Sequence, residues 1–192
     1  MDPTLSYELL RSFTTPVVAI TSERRGKLNG MISDAAVRVS IVPDVPRLMI
    51  LVHKFNYSHD MIFETGRFAL HALHRGQLDV VECLGFWSGR DRDKLDDLPH
   101  RIGALGCPVL DDCWAWFECR VINVMDTGSS TCFLGEVVDL GRGPGKELMT
   151  PGWMRANIPE QWRAAYLSKL GIAQDWARGR SADVRAVIWK GL

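Results

Sequence analysis

Short apolar runs separated by turn residues recur along this sequence, and they constrain its fold more than any other feature. Residues 16–22, 48–52 and 68–73 have the length and composition of buried strands, and residues 114–124 and 131–140 form a later strand pair around a glycine-containing turn. The regular alternation of strands and helices that a parallel sheet requires is missing. The sequence therefore predicts a mainly β fold with helical additions, arranged as an antiparallel barrel.

Turn and cap residues predict where some of these elements begin and end. Asn29-Gly30 accepts positive φ and is predicted to close a hairpin between the first strand and a returning strand over residues 31–40. Ser58 is predicted to begin a short helix that ends at Gly66. A short amphipathic helix starting at Pro3 is expected to open the chain.

The C-terminal quarter has a different character from the rest. A helix is predicted from Pro159 to a stop at Gly171. One side of this helix would carry Trp162, Ala165, Tyr166 and Lys169. We therefore expect a barrel domain over residues 1–145 and a helical extension over 146–192 that packs on the barrel or on a partner subunit.

Composition excludes several classes of function. The formal net charge of zero gives no basic face for nucleic acid or an anionic membrane, and no apolar run approaches the roughly 20 residues that cross a bilayer. The first residues do not resemble a signal peptide, so we expect a cytoplasmic protein. Five cysteines without Cys-x-x-Cys spacing argue against a disulfide framework and a zinc ribbon, and the histidines show no metal-binding pattern.

Three segments carry candidate binding chemistry. Lys54 and the helix start at Ser58 would suit a phosphate, because unpaired N–H groups and the helix dipole favour an anion there, although a plain serine cap explains the same residues. The small residues 33–36 would let a planar ligand approach the main chain, or would simply be strand residues. The loop 85–94, with an aromatic pair and many charges, would cap a planar ligand or stand as a solvated loop.

Taken in order, these segments resemble the flavin reductase-like family of FMN-binding split barrels. The resemblance covers about residues 10 to 141. It rests on the ordered set of residues 16–22, Asn29-Gly30-Met31, Ser40, Pro46, 54–59, 66–71, Gly89, Asp93-Lys94, 107–110, 117–119 and 133–137.

The resemblance implies a six-stranded split barrel, a homodimer with flavin near the interface, and hydride transfer from NADH or NADPH to flavin. FMN is the implied cofactor, with FAD as an alternative, and a monooxygenase that receives reduced flavin is an implied partner. It assigns to the cofactor Thr21, Asn29, Gly30, Met31, Ser33, Asp34, Ala35, Lys54, Asn56, Ser58 and His59. Within this set, Lys54, Ser58 and His59 would hold the phosphate.

Two departures bear on activity. Ser130 stands where reductases that use a nicotinamide often have histidine, and Asp34 adds a negative charge where a small residue is common. Ser130 and Trp87 are candidates for the nicotinamide or substrate side, and we expect slow reduction by free NADH or NADPH. No side chain is expected to act as a catalytic nucleophile.

Two other functions remain open at this stage. One is a non-catalytic flavin-binding module, or a flavoprotein reduced by a protein donor. The other is a barrel for another planar cofactor such as haem, with ligands drawn from His53, His59, His71 and His74.

Overall fold

The computed structural model describes residues 2–189, which form nine strands and five helices. The helices are α1 (Pro3–Leu10), α2 (Tyr57–Thr65), α3 (Leu78–Phe86), α4 (Pro151–Asn157) and α5 (Glu160–Arg178). The strands are β1 (Val18–Arg24), β2 (Lys27–Ser33), β3 (Ala36–Arg38), β4 (Arg47–His53), β5 (Arg67–Ala72), β6 (His100–Ile102), β7 (Pro108–Leu110), β8 (Ala115–Asp126) and β9 (Ser130–Arg142). No helix among these residues is both long enough and apolar enough to span a bilayer.

One antiparallel sheet of seven strands forms the body of the molecule, in the order β2-β1-β5-β8-β9-β4-β3. The predicted mainly antiparallel β fold is confirmed. The sheet has seven strands instead of six because the returning strand breaks at Asp34-Ala35. There Ser33 Oγ accepts the Ala35 N–H at 3.1 Å, which ends β2 before β3 begins.

The first hairpin turns at Arg25-Gly26, and the prediction that Asn29-Gly30 closes it is wrong. Arg25 and Gly26 have φ of 54° and 82°, the positive values that a tight hairpin turn needs. Gly30 instead lies inside β2, where an added Cβ would come within 3.0 Å of a Leu84 methyl. The glycine there allows α3 to pack closely on the sheet.

Two apolar clusters hold the fold together. The cluster inside the barrel includes Ile20, Phe68 and Phe133, each fully buried. The second cluster fills the space between the sheet and helices α3 and α4, around Leu84 and Met149. All five cysteines are free and buried, as expected for small apolar core residues.

The helix boundaries agree only in part with the predictions. α1 forms as predicted, and Gly66 ends α2 with a left-handed φ of 63°. The N-cap of α2 is Asn56, so Ser58 is the second helical residue instead of the cap. α5 continues through Gly171 to Arg178, because a glycine in an exposed helix costs only about 1 kcal/mol and open space surrounds it.

Candidate functional site

A cavity of about 440 Å³ lies between the N-terminal end of α2, the loop after α3 and one side of α5. This volume is within the range of small-molecule sites, which run from roughly 300 to 1,000 Å³. The lining residues are Asn29, Met31, Ile32, Phe55, Asn56, Tyr57, Ser58, Leu84, Gly85, Phe86, Trp87, Ser88, Gly89, Arg90, Asp91, Lys94, Ala165, Ser168, Lys169 and Ile172.

The N-terminal end of α2 presents polar groups to this cavity. Ser58 is 1% exposed, and its Oγ accepts a 2.8 Å hydrogen bond from Nδ2 of Asn29. The Asn56 side chain makes no capping hydrogen bond, so it does not satisfy the free backbone N–H groups of the helix. Oδ1 of Asn29 is buried and accepts no hydrogen bond from any residue in the described part of the chain.

Arg90 brings a positive charge to the same helix end. Its guanidinium donates to the carbonyl of Phe55 and to Asp60 Oδ2, both at 3.3 Å, and lies 5.1 Å from the centre of the Tyr57 ring. Arg90 is ion-paired with Asp60 at 3.3 Å, a longer contact than the 2.8 Å pair of Lys54 and Asp126. Its remaining N–H donors, together with the positive end of the helix dipole, favour an anion at this corner.

The loop after α3 closes against Asn29 through a glycine. A Cβ on Gly89 would lie 2.1 Å from Oδ1 of Asn29 and 3.1 Å from the Tyr57 ring, so only glycine fits here without displacement. Trp87 in the same loop is 47% exposed, and its Nε1 donates to Glu82 at 2.8 Å. The loop predicted either to cap a ligand or to stand in solvent is thus part of the cavity wall.

Two lysine ammonium groups meet at the C-terminal end of α3. Lys94, which is 4% exposed, donates to the carbonyls of Leu84 and Trp87 at 2.9 and 3.1 Å. Lys169 of α5 donates to the carbonyls of Gly85 and Trp87 at 2.6 and 3.4 Å. Burial lowers the pKa of Lys94 to about 7, with a smaller contribution from the charge of Lys169, and burial also lowers the pKa of Lys169.

Residues 10–156 match the model of the flavin reductase like domain, which is more than half of the chain. The chain belongs to the flavin reductase-like family.

Several curated proteins are similar to this chain over about three quarters of its length. The chain is 28% identical over 137 residues to a "Probable flavin reductase" of Rhizobium meliloti, which covers 71% of this chain but only 42% of that protein. It is 32% identical to the "FMN reductase (NADH) SmoA" of Agrobacterium fabrum, over 74% of this chain and 79% of that one. It is 26% identical to the "Flavin-dependent monooxygenase, reductase subunit HsaB" of Mycobacterium tuberculosis, over 75% and 74%.

Solved structures show the same fold. The NADH:FAD oxidoreductase SgcE6 of Streptomyces globisporus superposes with a TM-score of 0.68 at 27% identity, over 77% of this chain and 89% of that one. The split barrel expected from the sequence is therefore confirmed for this family member.

Of the residues predicted to bind cofactor or substrate, the structure brings five together in the cavity wall. These are Asn29, Met31, Asn56, Ser58 and Trp87. Thr21 lies elsewhere, fully buried in β1, where its hydroxyl donates to the carbonyl of Pro108. Gly30 packs against Leu84, as described above.

Lys54 and His59, predicted at the phosphate, lie on the other side of α2. Nζ of Lys54 is 2.8 and 2.9 Å from the two carboxylate oxygens of Asp126, so its charge is already paired. Nε2 of His59 is 2.9 Å from Oγ1 of Thr131, and burial lowers the pKa of this imidazole. Burial thus favours the neutral form of the His59 imidazole.

Ser33, Asp34 and Ala35 form the junction between β2 and β3. The carbonyl of Asp34 accepts hydrogen bonds from the Thr15 N–H and hydroxyl, both at 3.0 Å, while its side chain is exposed. This junction is outside the cavity wall, so the structure separates it from the Asn29–Ser58 corner.

Ser130 is paired with an imidazole. It lies opposite His53 in the β4–β9 ladder, and its Oγ is 2.7 Å from Nδ1 of His53. An imidazole thus lies one hydrogen bond from position 130, where the family resemblance implies a histidine.

Arg90, Lys94 and Lys169 are the cationic cavity residues, and sequence reasoning assigned none of them to the site. Arg90 and Lys94 lie in the loop that the sequence marked only as a whole. Lys169 was placed correctly on the side of its helix that carries Trp162, but nothing in the sequence indicates that this side faces a cavity.

Proposed function

We propose that the cavity binds FMN, with the phosphate at the N-terminal end of α2. The observation that carries this proposal is the N-terminal end of α2, where backbone N–H groups without a side-chain cap and the guanidinium of Arg90 lie at the cavity wall and can donate to a phosphate. Oδ1 of Asn29, which has no hydrogen-bond partner within residues 2–189, would accept a hydrogen bond from a hydroxyl of the ribityl chain, which would remove the roughly 1–3 kcal/mol cost of an unpaired buried acceptor. Arg90 supplies charge to the phosphate, and Met31 and Ile32 supply apolar surface.

The proposed activity is reduction of flavin by NADH or NADPH; two of the relatives named above carry names that specify flavin reduction with NADH. Bound flavin would supply the hydride-accepting ring, while the chain provides position and electrostatics. Trp87 is the side chain proposed to face the nicotinamide, because it lines the cavity, whereas Ser130 is buried and lies outside the cavity wall. FAD remains the alternative flavin.

Binding of FMN compared with riboflavin tests the proposal, because riboflavin lacks the phosphate. Ser58→Ala and Arg90→Gln should each raise the Kd for FMN about tenfold or more, since a charge-assisted hydrogen bond contributes roughly 1.5–3 kcal/mol. The Kd for riboflavin should change less than twofold. Equilibrium dialysis with flavin fluorescence measures both constants.

The Lys54→Met variant tests on which side of α2 the phosphate binds. If the phosphate lies in the cavity, this variant leaves the FMN affinity nearly unchanged; a large loss confined to FMN would place the phosphate at Lys54, as the family resemblance implies. Binding of FMN to the unmodified protein no tighter than millimolar would refute the proposal as a whole.

Substitution of His53 tests whether NADH reduces the flavin efficiently in this protein. If its imidazole acts in place of the histidine missing at position 130, His53→Asn should slow flavin reduction by NADH, and Ser130→His should add little. Anaerobic stopped-flow at the flavin absorbance band measures both rates. A slow unmodified protein that Ser130→His accelerates would instead favour a protein donor as its natural reductant.

We further propose that the protein is a homodimer. The segment around the edge strand β3 exposes Val39, Ile41 and Val42, with Ile41 84% exposed, and a second copy of the chain would cover them. Ile41→Asp should then give a monomer mass by light scattering at micromolar concentration, where the unmodified protein gives a dimer. A monomeric unmodified protein would refute this.

A flavin-dependent monooxygenase is the proposed acceptor of the reduced flavin, because a relative of this chain carries the name of such a reductase subunit. Five free, buried cysteines agree with a reducing compartment, so we propose the cytoplasm as the location.

A further inference from the structure

Residues 179–189 follow α5 and lead from the cavity to the opposite side of α2. We call this segment the C-terminal strap. At its start it continues α5, which forms one wall of the cavity. At its far end Trp189 lies against Phe63 of α2, on the side of that helix that carries His59. The strap thus connects the cavity wall with the face of α2 that is turned away from the cavity.

The first contact of the strap is with the turn between β8 and β9. Gly128 in this turn has a φ of 83°, and a Cβ added to it would lie 2.5 Å from the carbonyl oxygen of Ser181 and 2.7 Å from that of Arg180. The main chain of the strap therefore lies directly on the turn, and a glycine is required there both by the backbone conformation and by the close approach.

Trp189 makes the second contact. Its ring lies 5.9 Å from the ring of Phe63 in an edge-to-face arrangement, and Phe63 lies 6.3 Å from Phe133 of the barrel. Val187 and Trp189 both pack against the apolar cluster inside the barrel. Nε1 of Trp189 is buried and has no acceptor within residues 2–189, so the indole holds the strap by packing alone.

Polar interactions do not reinforce these contacts. Within residues 2–189, the hydrogen bonds and the ion pair of the strap stay inside it or return to α5. Arg180 and Ser181 bond to carbonyl oxygens of α5, and Arg185 pairs with Asp183. A segment that is held to the barrel mainly by apolar side chains near one end detaches when that packing is lost.

The end of α5 next to the strap is attached to the cavity by one aromatic pair. The ring of Trp176 lies 5.8 Å from that of Phe55, which lines the cavity. No residue of α5 is buried, so the helix contributes little packing of its own. Displacement of the strap therefore acts on the most weakly held wall of the cavity.

We propose that the strap is a latch. Docking of Trp189 on Phe63 holds α5 against the cavity, and release of Trp189 opens the cavity from the opposite side of α2. Residues 157–189 follow the segment that matches the family domain, so the latch is an addition to that domain. The latch itself does not depend on which ligand binds; only the use of FMN as a probe of access rests on the proposed function.

Hydrogen exchange of the full chain without ligand tests the latch directly. Trp189→Ala should raise the exchange rates of the α5 amides about tenfold, because loss of a packed ring shifts the docking equilibrium by about that factor. Exchange in β5 and β8 should not change. Unchanged exchange in α5 would overturn the proposal even if the strap exchanged faster, because the strap would then move independently of the helix.

Two variants of the strap serve as controls. Trp189→Phe keeps an aromatic ring and removes the unpaired Nε1, so exchange in α5 should stay within about threefold of the unmodified protein. Ile188→Ala removes an apolar side chain that is 84% exposed, next to Trp189, and it should change nothing. Equal acceleration by Ile188→Ala and Trp189→Ala would show that the docked ring is not what holds the helix.

Phe63→Ala tests the same contact from α2. It should accelerate exchange in α5 as Trp189→Ala does, and the double variant should exchange no more than about twofold faster than either single variant, because both remove one shared contact. Effects that multiply in the double variant would mean that Trp189 and Phe63 act separately.

The rate of FMN association measures access to the cavity. In Trp189→Ala the association rate constant should rise about tenfold, whereas the Kd should stay within about threefold, because an open wall eases both entry and exit. Stopped-flow flavin fluorescence measures the rate, and equilibrium dialysis measures the Kd. A weaker Kd with an unchanged association rate would overturn the latch, since Trp189 would then support the bound ligand. Binding of FMN no tighter than millimolar would refute the proposed function, while the exchange rates of α5 would still decide whether the latch exists.

Discussion

Polar side chains are buried in two regions of the molecule, at the β6–β7 side of the sheet and around the cavity. The two regions differ in how fully the hydrogen-bonding and charged groups of these side chains are paired. Glu118 is fully buried, and its carboxylate accepts the N–H groups of Ala104 and Leu105 at 2.7 and 3.0 Å. At the cavity, Oδ1 of Asn29 lacks a hydrogen-bond partner within residues 2–189, and Lys94 lacks a carboxylate there. A satisfied buried group stabilises the fold, whereas an unsatisfied one costs free energy that a ligand bound beside it can recover.

Glu118→Ala should lower the free energy of unfolding by about 3 kcal/mol, because it removes a fully buried carboxylate that accepts two hydrogen bonds, and each hydrogen bond to a charged group contributes roughly 1.5–3 kcal/mol. The Kd for FMN of the folded variant should stay within twofold of the original. Urea unfolding and flavin binding measure the two quantities.

Glu136→Ala is the matched control for that variant. Glu136 pairs with Arg120 at 3.7 Å on the exposed face of the neighbouring strand, so its loss should cost less than about 1 kcal/mol. If the two variants destabilised the protein equally, the structural role assigned to Glu118 would be wrong.

His71 offers a pH-dependent test on the same side of the molecule. Its Nδ1 is 3.3 Å from the Ala19 carbonyl and its Nε2 accepts the Leu110 N–H, and complete burial lowers its pKa to about 4. Between pH 6.5 and 4 the unfolded chain binds the additional proton. The free energy of unfolding should therefore fall by about 3 kcal/mol as the pH drops through this window.

His71→Gln should show a correspondingly shallower dependence of stability on pH, measured as urea midpoints at pH 7, 5.5 and 4.5. His59, whose pKa is also lowered by burial, contributes equally to both proteins. Identical slopes for the two proteins would show that His71 does not remain neutral in the fold.

Asn29→Ala should produce the opposite pattern to Glu118→Ala. The substitution removes the hydrogen bond to Ser58 but also an unpaired buried oxygen, and because these two effects offset each other the free energy of unfolding should change by less than about 1 kcal/mol. The Kd for FMN should rise about tenfold. If the variant were strongly destabilised and its affinity for FMN unchanged, Asn29 would have a structural role like that of Glu118, and the proposed difference between the two regions would be wrong.

Strand positions could be predicted from the sequence because apolar runs and turns are local signals. The first turn could not, since Asn29-Gly30 and Arg25-Gly26 are both acceptable hairpin turns and only packing against α3 chooses between them. The prediction that the last helix ends at Gly171 is wrong for a similar reason: a glycine ends a helix only where the chain must turn, and here the helix continues to Arg178.

The N-terminal end of α2 could be predicted as a binding corner because helix and polar residues are contiguous in the sequence. The lysine pair could not be predicted, because Lys94 and Lys169 lie far apart in the chain and meet only through α3 and α5. Likewise, the pairing of Lys54 with Asp126 depends on a strand ladder that brings together residues 72 positions apart.

The loose attachment of α5 has a consequence for how fast a ligand can leave. None of its residues is buried, and it is held to the loop and to α3 by Lys169 and by the packing of Trp162 and Tyr166 on Phe86. A helix with so little buried surface opens at a small cost in free energy, and its amide hydrogens should exchange long before those of β5 or β8. Each opening removes one wall of the cavity, so we expect the residence time of a ligand bound there to shorten as this helix detaches more often, and a substitution that stiffens the helix should lengthen it.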